Sequence, residues 1–434
     1  MNLLENIKNK KTVVAIMGLG YVGLPLMANL IRKGFSVIGI DPDPRKIEAL
    51  DARTSYIEAV TSAEISTWQK CWTKSIEDPK VLDARIFIVC VPTPLTEHYE
   101  PDLSYVENAA SQIGTIARNT PEEILAILES TTYPGTTIEL FGPTIEKNSG
   151  KSIAKDLFIA FAPEREDPGN KKFKSEDIPR VVGADDSYAL ACAAALYQEL
   201  VPLVHQVTST KVAEATKILE NCYRLANISF VNELKMIFNR MGIDIWEVIA
   251  AAKTKPFGFT PFYPSGGIGG HCIAVDPFYL TWKAREFEIP TRFIELAGEI
   301  NKQMPRYVTS QTSKALNSVE KPLKNSNILI LGTAYKPNVG DLRESSALKI
   351  IPLLEQEGSI ISYYDPYCPL MEFGGQDYVS APELTPELLS SADCVLIITD
   401  HSCIDYSMVG SYAPLIVDTR NCIPKDSIAK VFKA

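Results

Sequence analysis

Cys272 is the residue of this chain whose setting most clearly suggests covalent chemistry. It stands in the segment GGIGGHCIAVDP (266–277), ahead of a predicted helix with Asp276 at its N-cap and Pro277 at its first position. A helix N-terminus lowers the pKa of a thiol, and the thiolate is the nucleophile. The four glycines would let a substrate approach the sulfur. The segment predicts a nucleophilic cysteine, with a small buried apolar side chain as the alternative.

A second set of polar side chains lies on the longest helical pattern, residues 208–242, which ends at Gly242. Lys217, Asn221 and Arg224 recur at a spacing that places them on one helix face. Such a face is either solvated or presents a cation and an amide to a reaction cleft.

The segment GLGYVG follows an apolar run and opens a helical pattern, with glycines at Gly18, Gly20 and Gly23 around Tyr21 and Val22. In this context glycines permit a tight turn, and the helix N-terminus faces a pyrophosphate. The segment predicts dinucleotide binding, against the alternative of a structural strand–turn–helix.

Asp41 ends the second predicted strand, where a carboxylate binds the adenosine ribose. Its charge would repel a 2′-phosphate, so NAD is favoured over NADP. Arg45 and Lys46 follow closely, and a base at such a position can accept that phosphate.

Two further segments, VPTP and ESTTYPGTT, each follow a predicted strand. Ligands of open parallel sheets bind at the carboxyl ends of the strands. Thr93, Thr131 and Thr132 are therefore predicted to line the cofactor cleft, unless these segments are ordinary turns with threonine caps.

The sequence around these residues predicts alternating strands and helices. The pattern runs through residues 1–205, is interrupted by the helical region 206–315, and resumes in residues 316–434. It predicts an α/β protein of two Rossmann-like, doubly wound parallel-sheet domains joined by a long central helix.

Composition limits the partners and the compartment. The chain has 434 residues and a net charge of −10, which disfavours nucleic acid and anionic membranes as partners. The sequence shows neither a signal peptide nor an apolar stretch of the roughly 20 residues that span a bilayer. Nine scattered cysteines and four histidines predict no disulfide framework and no metal site, and favour the cytoplasm.

Taken in order, the segments GLGYVGLPL, VCVPTP, ESTTYPGTT, APEREDPGN, KILENCYRLANISFVNE, GGIGGHCIAVDPFYL and LGTAYKPNVGDLRESSAL resemble the UDP-glucose/GDP-mannose dehydrogenase family. The resemblance covers nearly the whole chain and is strongest to the UDP-N-acetylglucosamine 6-dehydrogenase branch. It implies oxidation of the primary alcohol of a UDP-sugar to a carboxylate for polysaccharide precursor synthesis. Two NAD are reduced per substrate, through a thiohemiacetal and a thioester on a cysteine.

The resemblance also implies site roles. Cys272 is the nucleophile, Lys217 and Asn221 handle the alcohol proton and the oxyanion, and Asp276 works on water. Glu164 is the acid–base group of the thioester stage, and Thr132 lies near the catalytic water. The implied substrate ligands are Arg165, Glu166, Lys217, Asn221, Arg224, Tyr263, Gly269 and Lys336. The implied cofactor ligands are Gly18, Gly20, Tyr21, Val22, Gly23, Asp41, Lys46, Thr93, Thr132 and Arg343.

Arg343 is implied to reach the cofactor across a subunit interface, which requires a homodimer or a higher homo-oligomer. The family implies that residues 1–205 bind NAD, 206–315 dimerise and carry the cysteine, and 316–434 bind UDP. Ser265 and Ala274 depart from the family's usual cysteine loop, and Ser265 bears on the choice of sugar.

Other functions stay open. UDP-N-acetylmannosamine and UDP-glucose are alternative substrates. A Rossmann domain followed by a helix bearing Lys-x-x-x-Asn also occurs in one-step β-hydroxyacid dehydrogenases, which need no thiol. A dinucleotide-binding sensor without catalysis is a third possibility.

Overall fold

The computed structural model describes residues 2–96, 98–165, 177–270 and 272–434. The chain forms two compact units: Met1–Glu220 with Phe278–Ile289, and Asn221–Pro277 with Pro290–Ala434. Within the described ranges, no helix combines the length and the apolarity needed to cross a bilayer.

The first unit is built on an eight-stranded sheet of order β3-β2-β1-β4-β5-β6-β7-β8. Its strands are β1 Val13–Met17, β2 Ser36–Ile40, β3 Trp72–Thr73, β4 Ala84–Val89, β5 Ile124–Leu128, β6 Leu157–Phe161, β7 Arg180–Gly183 and β8 Val204–Val207. Neighbouring strands pair in parallel except β6 and β7, which are antiparallel. Helices cover both faces, so the inner strands β1, β5 and β6 are continuous apolar runs.

The helices of this unit are α1 Leu3–Lys8, α2 Gly23–Arg32, α3 Pro44–Asp51, α4 Ser62–Thr67, α5 Pro79–Leu82, α6 Ser104–Ala117, α7 Gly142–Ser149, which follows a π-helical turn at Thr137–Phe141, and α8 Ser187–Gln198. Alternate side chains of β1 enter two separate cores. Val14 and Ile16 pack into one core, and Ala15 and Met17 into the other.

The strand register brings the predicted cofactor residues to one edge of this sheet. Met17 pairs with Ile40 and with Val89, so β1, β2 and β4 end side by side. Leu128 of β5 pairs with Val89 as well. The segments that follow these strands therefore start from a common edge.

The long predicted helix is confirmed as α9, Thr210–Met241. Ser209 caps it, because its hydroxyl accepts a hydrogen bond from the Val212 amide at 3.2 Å. Gly242 ends it with φ +72°, the left-handed conformation that glycine adopts after a helix.

Three more helices follow: α10 Ile245–Ala252, α11 Asp276–Ala284, which continues into a 3₁₀ turn at Arg285–Phe287, and α12 Arg292–Asn317. Helix α12 lies mostly within the helical region predicted at 206–315, but its bounds were not predicted. It contains Gly298 and Pro305, residues that ordinarily argue against a continuous helix, yet both are buried within it.

The second unit contains a parallel five-stranded sheet of order β10-β9-β13-β14-β15 and a separate hairpin, β11–β12. Its elements are β9 Asn327–Leu331, α13 Ala347–Gln356, β10 Ile360–Tyr364, β11 Leu370–Phe373, β12 Gln376–Val379, α14 Pro386–Ser391, β13 Cys394–Ile397, α15 Tyr406–Tyr412, β14 Leu415–Asp418 and β15 Lys430–Lys433. The predicted fold class is confirmed: two doubly wound sheets lie on either side of α9 in the sequence.

Candidate active site

The glycine turn after β1 has the geometry that a pyrophosphate requires. Gly18 has φ +94°, and a Cβ there would lie 2.6 Å from the Cys90 carbonyl oxygen. A Cβ on Gly23 would lie 1.8 Å from the Gly18 oxygen, so both glycines are demanded by the turn. A Cβ on Gly20, in contrast, would meet no described atom within 4 Å. Gly20 leaves the open backbone surface that a phosphate can approach.

The end of α2 beside this turn is available to an anion. The helix begins at Gly23, and its N-cap residue Val22 makes no side-chain capping hydrogen bond. Backbone N–H groups at such an end attract a phosphate. The neighbouring Tyr21 is exposed.

Asp41 follows β2 and is buried, with 3% exposure. Its carboxylate accepts hydrogen bonds from the Leu19 amide at 2.8 Å and from the Asp43 amide at 3.0 Å. These bonds orient a carboxylate beside the glycine turn, where an NAD ribose would meet it.

Both bases near Asp41 are already paired with carboxylates. Lys46 Nζ donates to Asp41 Oδ2 at 2.7 Å. Arg45 donates to both oxygens of Asp43, at 3.1 and 2.9 Å. Pairing offsets their charge, which favours NAD over a cofactor with an additional 2′-phosphate.

Thr132 contributes a buried hydroxyl at the carboxyl end of β5. It is fully buried, and no described group hydrogen-bonds its Oγ1. Buried hydroxyls rarely lack a partner, so this one is suited to bind a water or a ligand. Thr93 is fixed differently, because its hydroxyl donates to the Thr131 carbonyl at 2.8 Å and its own carbonyl accepts from Tyr279.

Glu164, after β6, belongs to a buried charge cluster that the sequence did not reveal. Arg180, the first residue of β7, donates to Glu164 Oε2 at 2.6 Å and lies 3.7 Å from Glu129 Oε2. Tyr197 donates to Glu129 and places its ring 5.1 Å from the guanidinium. Burial opposes the charged guanidinium, but the two carboxylates outweigh it and raise the pKa of Arg180.

Arg165 is occupied within the same unit. Its guanidinium donates to Glu220 of α9 at 2.5 and 3.3 Å and to the Pro179 carbonyl at 2.8 Å. Glu166, the other substrate residue predicted in this segment, lies outside the described residues.

The three polar residues predicted on α9 differ in exposure. Lys217 and Asn221, one turn apart, are buried at 8% and 6%. Arg224 is exposed. The helix thus buries the cation–amide pair and leaves the third residue to solvent.

Asn221, Asp276 and Cys272 lie close together. Asn221 Nδ2 donates to Asp276 Oδ2 at 2.7 Å, and both side chains are buried. The Val275 and Asp276 amides both bind the Cys272 carbonyl, at 3.2 and 2.8 Å. This early turn starts α11 at Asp276 itself, so the prediction of Asp276 as the N-cap was wrong by one residue.

The glycines before Cys272 have a packing role that the sequence did not reveal. A Cβ on Gly269 would lie 2.8 Å from the Glu344 carbonyl oxygen, and a Cβ on Gly270 would lie 2.9 Å from the Tyr335 ring. The Gly270 amide also donates to the Arg343 carbonyl at 3.1 Å. Gly269 and Gly270 thus seat the cysteine loop on the segment after β9.

Ser265, one of the two departures from the family loop, has a local function. Its hydroxyl accepts from the Gly267 amide at 3.3 Å, and its own amide donates to Asn232 Oδ1 at 2.9 Å. Gly267 has φ +133°, so the serine supports a turn that needs glycine two residues later. Ala274, the other departure, is half-buried, and no contact explains it.

The segment after β9 carries the remaining predicted residues. Lys336 is half-buried. Arg343 is held by Asp341 through three hydrogen bonds of 2.6 to 3.1 Å. Tyr263 is 44% exposed, and its ring stacks on Trp246 with centroids 5.8 Å apart.

Two other thiols have pKa values raised by burial. Burial raises the pKa of Cys222 to about 11, with the negative charge of Asp276 adding to the effect. Burial likewise raises the pKa of Cys71 to about 11. Such thiols stay protonated at neutral pH and are poor nucleophiles. Cys403 is exposed and provides a surface reference.

Family models for UDP-glucose/GDP-mannose dehydrogenases match three successive segments. The NAD binding domain matches residues 12–201, the central domain 211–303 and the UDP binding domain 329–425. The chain belongs to the UDP-glucose/GDP-mannose dehydrogenase family.

Members of this family match nearly end to end. The UDP-N-acetyl-D-glucosamine 6-dehydrogenase of Pseudomonas aeruginosa is 35% identical over 91% of each chain. A UDP-N-acetyl-D-mannosamine dehydrogenase of Methanococcus maripaludis is 30% identical over 89% of this chain and 86% of that one. The solved structure of the UDP-D-ManNAc dehydrogenase from Pyrococcus horikoshii superposes with a TM-score of 0.85 at 29% identity, covering 97% of this chain and 98% of that one.

Membership of the family fixes the reaction class. The chain is an NAD-dependent UDP-sugar dehydrogenase, and the predicted cofactor is confirmed. The open surface at Gly20 and the buried carboxylate of Asp41 fit that cofactor.

Proposed function

We propose that this enzyme oxidises the C6 primary alcohol of UDP-N-acetylglucosamine to the uronic acid, a precursor for polysaccharide synthesis. The relative from Pseudomonas aeruginosa supports this sugar. UDP-N-acetylmannosamine is the second candidate, supported by the archaeal relatives. UDP-glucose is the third.

Cys272 is the proposed nucleophile. Loss of a hydride from the alcohol carbon leaves an aldehyde, and the thiolate adds to its carbonyl carbon to form a thiohemiacetal. Loss of a second hydride leaves a thioester, which water cleaves into carboxylate and free thiol. NAD held at the Gly20 turn and Asp41 would supply the hydride acceptor for each oxidation, so each substrate would consume two NAD. The covalent bond holds the intermediate during cofactor exchange.

Lys217 and Asn221 are proposed to take the alcohol proton and to stabilise the developing oxyanion. Asp276 is proposed to work with Lys217 on the hydrolytic water. The hydrogen bond between Asn221 and Asp276 is the observation that carries this assignment. It fixes both side chains next to the turn that holds Cys272.

Glu164 is the proposed acid–base group of the thioester stage, and Thr132 the proposed ligand of the water. The ion pair with Arg180, at 2.6 Å, supports the first assignment because it fixes the position of the Glu164 carboxylate. The unpartnered hydroxyl of Thr132 supports the second assignment.

Substrate binding is proposed for Lys336, which would meet the diphosphate, and for a second group of residues nearer the sugar. That group is Arg165, Glu166, Arg224, Tyr263 and Gly269. The three functional segments are proposed as 1–205 for NAD, 206–315 for the cysteine and dimerisation, and 316–434 for UDP.

A homodimer or higher homo-oligomer is proposed as the working assembly. Tyr223, Phe230, Ile237 and Met241 recur along α9 on one stripe, with 50%, 56%, 46% and 63% exposure. A contiguous apolar stripe of this length favours burial against another chain. In that assembly Arg343 is proposed to reach the cofactor of a neighbouring subunit.

The substrate is tested by incubating the enzyme with NAD and each of the three UDP-sugars, and by counting NADH and acid per sugar consumed. Two NADH per molecule of UDP-N-acetylglucosamine, with slower turnover of the other two, is the expected result. One NADH per sugar, with a carbonyl product, would contradict the covalent two-step reaction.

Replacing the nucleophile provides a direct prediction. Cys272→Ala should abolish acid formation, because no thiol remains to trap the aldehyde. Cys403→Ala replaces an exposed thiol and should leave turnover unchanged.

In the unmodified enzyme, iodoacetamide at neutral pH should label Cys272 faster than Cys403, and a UDP-sugar should slow that labelling. Equal labelling rates at the two thiols would count against an activated Cys272.

A further inference from the structure

A buried histidine holds the segment that carries Lys336. This loop, residues 333–341, follows β9, and the Asn338 amide in it donates to His401 Nδ1 at 3.0 Å. His401 follows β13 and is fully buried. Because Nδ1 accepts a backbone N–H, it carries a lone pair, and the proton of the neutral ring sits on Nε2.

The other side of the ring faces a carboxylate. His401 Nε2 lies 3.1 Å from Asp365 Oδ2, which also accepts the Thr333 and Ala334 amides at 2.7 and 2.9 Å. Burial raises the pKa of Asp365, but His401 and the amides outweigh it and hold that pKa at about 2. Asp365 is thus an anion that fixes both the start of the loop and the histidine.

Asn338 adopts a left-handed backbone conformation, which asparagine tolerates better than most residues. Its φ is +60°, in the left-handed region. Its Oδ1 accepts from the Ser402 amide at 2.8 Å and from the Ser402 hydroxyl at 2.9 Å. His401 and Ser402 therefore bind Asn338 through three hydrogen bonds, two residues beyond Lys336.

We propose that His401 is a positioning residue for nucleotide binding: its Nδ1 fixes Asn338 and so sets the loop that presents Lys336 to the UDP diphosphate. The inference rests on the proposed function, because it takes Lys336 as a ligand of that diphosphate. Phosphate recognition by a lysine depends on where the amine stands, so a loop released at Asn338 loses affinity without any change in charge.

Two substitutions of His401 distinguish the hydrogen bond made by Nδ1 from the one made by Nε2. His401→Asn places an oxygen where Nδ1 stands and keeps the acceptor for Asn338. His401→Gln places an amide donor near Nε2 and keeps the contact with Asp365. His401→Gln should raise the KM for the UDP-sugar and the Kd for UDP about tenfold, with kcat and the KM for NAD little changed. His401→Asn should stay close to the unmodified enzyme in UDP affinity.

Hydrogen exchange provides a readout that does not depend on the substrate. The Asn338 amide should lose protection in His401→Gln and retain it in His401→Asn. Equal UDP affinities in the two variants, or an Asn338 amide that stays protected in His401→Gln, would overturn the proposal. If Lys336→Gln leaves UDP affinity intact, the assignment of Lys336 fails instead, whatever the exchange pattern of Asn338.

Discussion

The carboxylate of Asp41 is the single group on which the predicted preference for NAD over NADP most depends. It accepts from Leu19, Asp43 and Lys46 and is almost fully buried. Its position beside the glycine turn supports its proposed role as the hydrogen-bonding partner of the NAD ribose.

Asp41→Asn should therefore raise the KM for NAD by about tenfold, because a charge-assisted hydrogen bond is replaced by a neutral one. Discrimination against NADP should fall, since the repulsion of a 2′-phosphate is lost. Steady-state kinetics with both cofactors measures this. Arg45→Gln is the matched control, because its guanidinium is exposed and pairs with Asp43. An unchanged KM in Asp41→Asn would contradict the ribose assignment.

For individual residues, the sequence predicts which side chains lie close together when they are also close in the chain. Cys272 and Asp276 are close in the chain, and a single turn joins them, so spacing alone predicts their proximity. The cluster of Glu129, Arg180 and Tyr197 was not predicted from the sequence. Its members belong to segments far apart in the chain, and only the folded sheet and helix α8 bring them together. The available signal was a charged residue at the end of an apolar strand, because Arg180 begins β7 and Glu129 follows β5.

At the scale of elements, Glu214 connects the first turns of α9 to the loop after β5. Its carboxylate is fully buried and accepts the Gly135 amide at 2.5 Å, with the Thr137 amide at 2.8 Å and the Thr137 hydroxyl at 2.7 Å. The same loop carries Thr132. Burial raises the pKa of Glu214 to about 7, despite these donors.

A raised carboxyl pKa means that the folded chain binds this proton more tightly than the unfolded chain. The contribution of Glu214 to the free energy of unfolding should therefore be largest below about pH 4.5 and fall by about 3 kcal/mol as pH rises to about 7. Glu214→Gln should remove this part of the pH dependence, as measured by urea unfolding across that range. Glu122→Gln, an exposed control, should retain it. Parallel pH curves for Glu214→Gln and the unmodified chain would refute this assignment.

The secondary structure shows where sequence reasoning stops. Strands β1, β2, β4 and β5 were predicted because β-branched runs ending at glycine or polar residues mark buried parallel strands. The bounds of helix α12 were not predicted, because Gly298 and Pro305 interrupt its helical sequence pattern. Tertiary packing outweighs the low helix propensity of both residues. The antiparallel pairing of β6 with β7 has no local signal, since direction is set by the connection rather than by either strand.

At the scale of the whole molecule, the apolar stripe on α9 makes assembly testable. Phe230→Glu places a charge at the centre of the stripe and should shift the enzyme toward monomer, because burying an unpaired carboxylate is costly. Sedimentation velocity measures the change. Arg240→Gln, exposed on the same helix but off the stripe, should not alter the assembly. A chain that is monomeric without any substitution would disprove the oligomer.

The fit of Gly269 and Gly270 against Glu344 and Tyr335 has a consequence for engineering. One way to change the sugar specificity of such an enzyme is to replace residues 327–434 with the matching segment of a relative that oxidises another UDP-sugar. Because those glycines leave no room for a Cβ, a donor with a bulkier group at 335 would push the thiol-bearing loop out of place. In a working chimera, the loop with Gly269 and Gly270 and the segment with Tyr335 and Glu344 must therefore come from the same parent protein.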